Sequence, residues 1–147
     1  MHDLQSRTVS FNLDELELVQ GWCDASPRVK ARFAFPLHVG AGSSSSALVY
    51  LEVEPGDNIG RHWDSAEEVF FVRTGEAELE LGEERLLLSA GGVAVAPPLV
   101  PHNLSNVGDE TLKVIGFFPS GALVARHEDR IEPLGTTNLI VPNPDEI

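Results

Sequence analysis

One cysteine in 147 residues, Cys23, has no second thiol to pair with inside the chain, so no disulfide framework holds this protein together. Basic residues are scarce as well: ten lysines and arginines face 23 aspartates and glutamates, for a formal charge of -13. The acids are spread along the chain rather than gathered in one tail. A field of that sign repels phosphate backbones and anionic lipid, which argues against nucleic acid and membrane surfaces as partners. No apolar run approaches the roughly 18 residues that suggest a membrane span, and the opening MHDLQSRTVS lacks the apolar core of a secretory signal. A cytoplasmic protein acting on small molecules or other proteins is the expectation. No long polar or Pro/Ser-rich stretch divides the chain, so residues 1–147 are expected to form a single domain.

Helical stripes are also missing, and what is there reads as strands. VKARFAF, ALVYLEVE, EEVFFVRT, EAELELG, ERLLLS, GVAVA, HNLSN and TLKVIGFF each have strand length and composition, and Gly, Pro, Asp and Ser break them apart. Alternation is clearest where Glu76, Glu78 and Glu80 would face water and Ala77, Leu79 and Leu81 the core. Leu81-Gly82-Glu83-Glu84 then suits a tight hairpin with Gly82 at the positive backbone angle. Many short strands at regular spacing predict an all-β sandwich or barrel. Phe70, Val72, Leu79, Val95, Leu104 and Phe118 are the expected filling.

The two ends are less marked. LDELELV could be a helical turn or an edge strand, and the edge strand is favoured. After Pro119 one strand, a charged link and an apolar arm, Asn138 to Val141, are expected. Such an arm must cover something, either its own barrel or a partner subunit. The serines Ser43 to Ser46 suit a mobile loop rather than a nucleophile, since no partner base follows at a recognisable spacing.

Two segments carry the chemistry. In GDNIGRHWDSAEEVFFVRTG, residues 56–75, Gly56 leads to His62, Asp64, Glu68 and Gly75; in GGVAVAPPLVPHNLSN, residues 91–106, Gly91 leads to Pro97, His102 and Asn106. The pair resembles the two conserved motifs of the cupin family, in order and separated by a short hairpin. That resemblance implies a double-stranded β-helix, or jelly-roll β-barrel, holding one metal ion between the motifs, and it implies a homodimer. Two positions depart from the family pattern. Asp64 stands where the second metal-binding His is usual, and Leu99 stands where the second motif has its middle Gly, which should alter only the turn before His102.

The residues support the same grouping. On a strand beginning near Glu67, Glu68, Phe70 and Val72 point one way while Glu67, Val69 and Phe71 point the other. An inward Glu68 among apolar neighbours needs a cation or a donor, and His62 and His102 can supply neutral imidazole nitrogens to a divalent ion. Asp64 has three roles open: direct ligand, holder of a metal-bound water, or cap of the loop. His2, His38 and His127 lie outside both motifs and read as structural or solvated. Tyr50, Arg32, Trp22 and Trp63 could shape a ligand pocket.

With all four of His62, Asp64, Glu68 and His102 bound, the two carboxylates neutralise a divalent ion. Iron or manganese is then favoured, with zinc or nickel possible and copper disfavoured. The expected function is a metal-dependent enzyme on a small organic molecule, with a dioxygenase foremost. The alternatives are a non-catalytic small-molecule binder, as a sensor or store, and a metal-free isomerase or epimerase in which one of two adjacent carboxylates is pushed toward its neutral form.

Overall fold

The computed structural model describes residues 9–143, so His2 lies outside the described residues. They form β1 (Val19–Cys23), β2 (Ser26–Val39), β3 (Gly42–Ser43), β4 (Ala47–Val53), β5 (His62–Asp64), β6 (Glu68–Thr74) and β7 (Glu76–Leu81). Then come β8 (Glu84–Ser89), β9 (Val93–Ala96), β10 (His102–Asn106), β11 (Leu112–Phe118), β12 (Leu123–Ile131) and β13 (Thr136–Val141). One sheet runs β1-β2-β4-β11-β6-β9, with β3 added to β2, and the other runs β13-β12-β5-β10-β7-β8. These two sheets make the jelly-roll barrel. Among the described residues no helix is long and apolar enough to cross a membrane.

The core lies between the sheets, where Phe70, Val72, Leu79, Leu104, Leu112 and Phe118 are buried. Alternation along β7 holds: Ala77 and Leu79 are buried, and the glutamates between them are not. Its hairpin to β8 pairs Leu81 with Glu84 and carries Gly82 at φ +60°. Val95 departs from the expected filling, being 44% exposed. On β9 both faces are apolar, so no polar residue marks the phase, and it is Ala94 and Ala96 that point inward.

The ends differ more. LDELELV forms no edge strand: Leu13–Glu15 is one 3-10 turn, because the Asn12 side chain accepts the Asp14 N–H at 2.9 Å and caps it. Strand structure begins only at Val19. In the tail, the expected strand is β12, and it extends through the charged residues as far as Ile131. The apolar arm belongs to β13 and pairs with β12 of its own chain, Leu123 with Val141 through Arg126 with Asn138. The serine stretch is held at one point, where Ser43 and Ser46 hydroxyls meet at 2.7 Å.

Candidate metal centre

Strands of both sheets aim side chains at one interior point. On β5 the outward residue is Trp63, so His62 and Asp64 point inward. Glu68 opens β6 and alternates inward with Phe70 and Val72, as expected, leaving Glu67 exposed. β10 sets His102 directly opposite His62 across the sheet. All four residues are buried.

The donor atoms converge. His102 Nε2 lies 3.1 Å from Asp64 Oδ2 and 3.6 Å from Glu68 Oε1, and His62 Nε2 lies 3.8 Å from Asp64 Oδ1. One donor from each residue falls within 4.8 Å of all the others. Around an ion with bonds of about 2.1 Å, ligands at right angles stand ~3.0 Å apart and opposed ligands ~4.2 Å. The observed spread is that shell, slightly opened.

Each imidazole is already oriented. His62 Nδ1 lies 2.8 Å from the Gly60 carbonyl and His102 Nδ1 lies 2.9 Å from that of Val100. A carbonyl only accepts, so both Nδ1 atoms carry the hydrogen, and either ring in its neutral form turns a lone pair at Nε2 toward the carboxylates. The result is a buried knot of acceptors. His102 Nε2 and Asp64 Oδ2 have no hydrogen-bond partner despite their 3.1 Å approach. Acceptors gathered in this way fit a divalent cation.

Left to themselves, the four groups pull against one another. Burial pushes Glu68 up to about 8, with the Asp64 charge adding to the rise. Burial also raises Asp64, but His102 and His62 overcome it and hold the carboxyl below its usual range. His102 is lowered by burial yet raised to about 10 by Asp64 and Glu68. His62 is pushed down to about 3 by burial and by His102.

Two neighbours shape the site without belonging to either motif. Gly116 on β11 pairs with Phe70, and a Cβ there would collide with the Glu68 carboxylate and come within 2.7 Å of Val49 Cγ1. His127 on β12 pairs with His62, and its ring stacks on His62 with centroids 4.6 Å apart and planes 16° from parallel. Its Nδ1 is buried without a partner, and burial pushes the ring down to about 4. His127 is therefore part of the site's surroundings rather than solvated; the alternation Leu123, Ala125, His127 was the available signal.

A cavity of about 90 Å³ opens from His62, Asp64 and Glu68 between the sheets, with Phe33, Phe35, Leu51, Phe118 and Leu139 among its walls. Of the four expected pocket residues, Trp22 lines it. Tyr50 and Arg32 instead bond Glu52 on the outer face of the first sheet, and Trp63 points away from the site. The His38 ring bonds the carbonyl of Val39. Asn106, last of the second motif, is structural: its amide donates to the Val53 and Glu110 carbonyls, 2.8 Å each. Leu99 keeps the turn that Gly was expected to make, at φ +67°, and its N–H donates to the Asp64 carbonyl at 2.9 Å. At 65% exposure its side chain meets no obstacle, so the substitution costs about 1–2 kcal/mol of backbone strain rather than a rearranged loop.

Comparison with known proteins agrees with this geometry. Residues 49–118 match the family described as Cupin domain. No curated protein matches the chain. Among solved structures, the Schizosaccharomyces pombe Cnp3 cupin domain is similar over 78% of this chain and 75% of its own, at 17% identity and TM-score 0.64. A provisionally assigned sugar phosphate isomerase of Acidithiobacillus ferrooxidans is similar over 78% and 76%, at 18% identity and TM-score 0.60. The Bacillus subtilis oxalate decarboxylase with its Mn(II) centres matches 73% of this chain but only 30% of its own length, at 22% identity and TM-score 0.61.

Proposed function

We infer that this chain, which carries a cupin domain over residues 49–118, holds one divalent transition ion on His62, Asp64, Glu68 and His102 and uses it on a small organic molecule, with dioxygenation the favoured reaction. The observation that carries the reading is the pair of buried, unpartnered acceptors, Asp64 Oδ2 and His102 Nε2, at the centre of the four donors. Two carboxylates among the ligands favour manganese or iron over copper. The Mn(II) centres of the structurally similar oxalate decarboxylase agree with that choice.

Such an ion supplies Lewis-acid and redox chemistry. The chain's own residues do the rest. Gly60 and Val100 carbonyls lock both imidazoles in one tautomer. The aromatic and aliphatic walls exclude water and hold the organic body beside the donors. His127, stacked on His62, offers a further ring nitrogen near the head of a bound molecule. The exposed Phe71, Val93, Val95 and Phe117 share the outer face of β6, β9 and β11 and support a homodimer, and the unpaired Cys23 supports a cytoplasmic setting.

Elemental analysis of protein purified without chelator should find close to one manganese or iron per chain, and the loaded protein should take up oxygen with an organic substrate. Loaded protein that binds such molecules but never turns them over would make it a binding module. A second reading keeps the residues without the ion: Glu68, raised to about 8 beside an ionised Asp64, would serve as a proton donor in an isomerase. Turnover that survives exhaustive chelation would select it.

A further inference from the structure

We propose that the molecule this cavity accepts is apolar except at one end, where two adjacent oxygens meet the ion, as in a catechol, and that dicarboxylates and sugar phosphates are excluded. The inference rests on the metal-binding reading above and adds what else the cavity can take. Apart from the ion-facing groups, the side chains lining it that can hydrogen-bond are His127, Thr136, Trp22 and Lys30. Trp22 already gives its Nε1–H to Asp24 at 3.1 Å, and Lys30 is exposed at the mouth. Among the described residues, no arginine lines the cavity.

A dicarboxylate could place one pair of oxygens on the ion. Its remaining oxygens would then face a lining made mostly of apolar groups such as Phe33, Leu51 and Phe118, where few donors replace lost water. Charge works in the same direction. Asp64 and Glu68 already balance a divalent ion, so a dianion leaves two uncompensated charges in an apolar interior, and a singly ionised catechol leaves one. A sugar phosphate brings a similar charge and several hydroxyls, which need more partners than His127, Thr136 and Lys30 offer. The ring of a catechol, in contrast, asks no hydrogen bond of those walls, and a short alkyl chain on it would meet further apolar lining such as Ile59 or Leu139.

The test is calorimetric titration of manganese-loaded protein, its metal content measured before and after, with catechol, 4-methyl-, 4-ethyl- and 4-propylcatechol, oxalate and glucose 6-phosphate. We expect each methylene to tighten binding about fourfold and both polar ligands to bind at least about tenfold more weakly than 4-propylcatechol. Leu139→Arg, which puts a guanidinium on the wall, should weaken 4-propylcatechol and strengthen oxalate; Leu139→Gln, a smaller change, should do the first alone. Loaded protein that binds oxalate or glucose 6-phosphate as tightly as 4-propylcatechol, or is indifferent to alkyl length, overturns this inference and leaves the metal site standing. Protein that takes up no manganese overturns the metal site and this inference with it.

Discussion

The β2-β4-β11-β6 sheet meets a cluster of ionisable groups on each of its two sides, and the clusters are built on opposite principles. On the outer face Arg32 reaches Glu52 at 3.2 Å and also bonds Glu54, while Arg73 holds Asp14 through two bonds of 2.9 and 3.0 Å. The Tyr50 hydroxyl donates to Glu52 at 2.8 Å, and burial with that acid beside it pushes the phenol up to about 12. Every acid there has a donor. On the inner side Glu68 of this sheet meets Asp64, His62 and His102 of the facing sheet, and the Nδ1–H groups of both imidazoles are committed to backbone carbonyls. Acidic residues in a cluster do not by themselves distinguish a site from a scaffold; unmatched acceptors do.

The largest expected effect that tests the contrast is removal of an inner imidazole. His62→Ala or His102→Ala should reduce metal content from about one ion per chain to nearly none, exceeding the ~10–100-fold losses typical of outer partners. Elemental analysis after gel filtration decides it, and equal content in variants and parent would erase the distinction between the faces. Next, Asp64→His would add a soft donor and leave the ion with one more positive charge. Competition measurements should show copper and nickel gaining on manganese; an unchanged preference would remove Asp64 from the ligand set.

A third effect is read against pH. The folded-state value of Glu68 is raised above its ordinary 4.5 to about 8, so in chelator-treated protein its carboxyl keeps a proton that the unfolded chain has lost. Its contribution to stability is therefore intact below about 4.5 and declines as pH rises toward about 8. Glu68→Gln removes that decline. In thermal melts of metal-free protein the variant should exceed the parent at pH 8 and converge on it near pH 5; parallel curves would refute the buried, uncompensated carboxylate. Metal affinity should rise over the same interval, since the ion must displace the proton. Smallest of all, Arg32→Gln on the outer face should cost about 1 kcal/mol or less and leave metal content untouched. A loss of metal there would mean the two faces are coupled through the sheet.

Much of the barrel was legible because the stretch from Ala47 to Phe118 alternates strongly and is punctuated by glycines, as at Gly75 and Gly82. Alternation placed Glu68 on one face with Phe70 and Val72, and its spacing from His62 and Asp64 chose that face as the inner one. Val95 was misplaced because β9 is apolar on both faces. The strand expected after Pro119 is β12, but its charges hid how far it runs: Arg126 reaches Asn138 at 3.0 Å and Arg130 reaches Glu132 at 2.8 Å, so its second half has the composition of a linker. His127 was missed with it. Its place beside His62 depends on a pairing between distant segments, which no local spacing encodes. The N-terminal turn hinged on Asn12, a single capping side chain that outweighed the strand-like run around it.

Gly116 has a meaning for any attempt to recognise or redesign this centre. The carboxylate of Glu68 rests in the space left by a missing methyl group on the neighbouring strand, so the number of donors available to an ion is controlled from a position that donates nothing. An alanine there would force the Glu68 carboxylate or the Val49 side chain to shift. A survey that counted only histidines and acids would pass over the residue that decides the count.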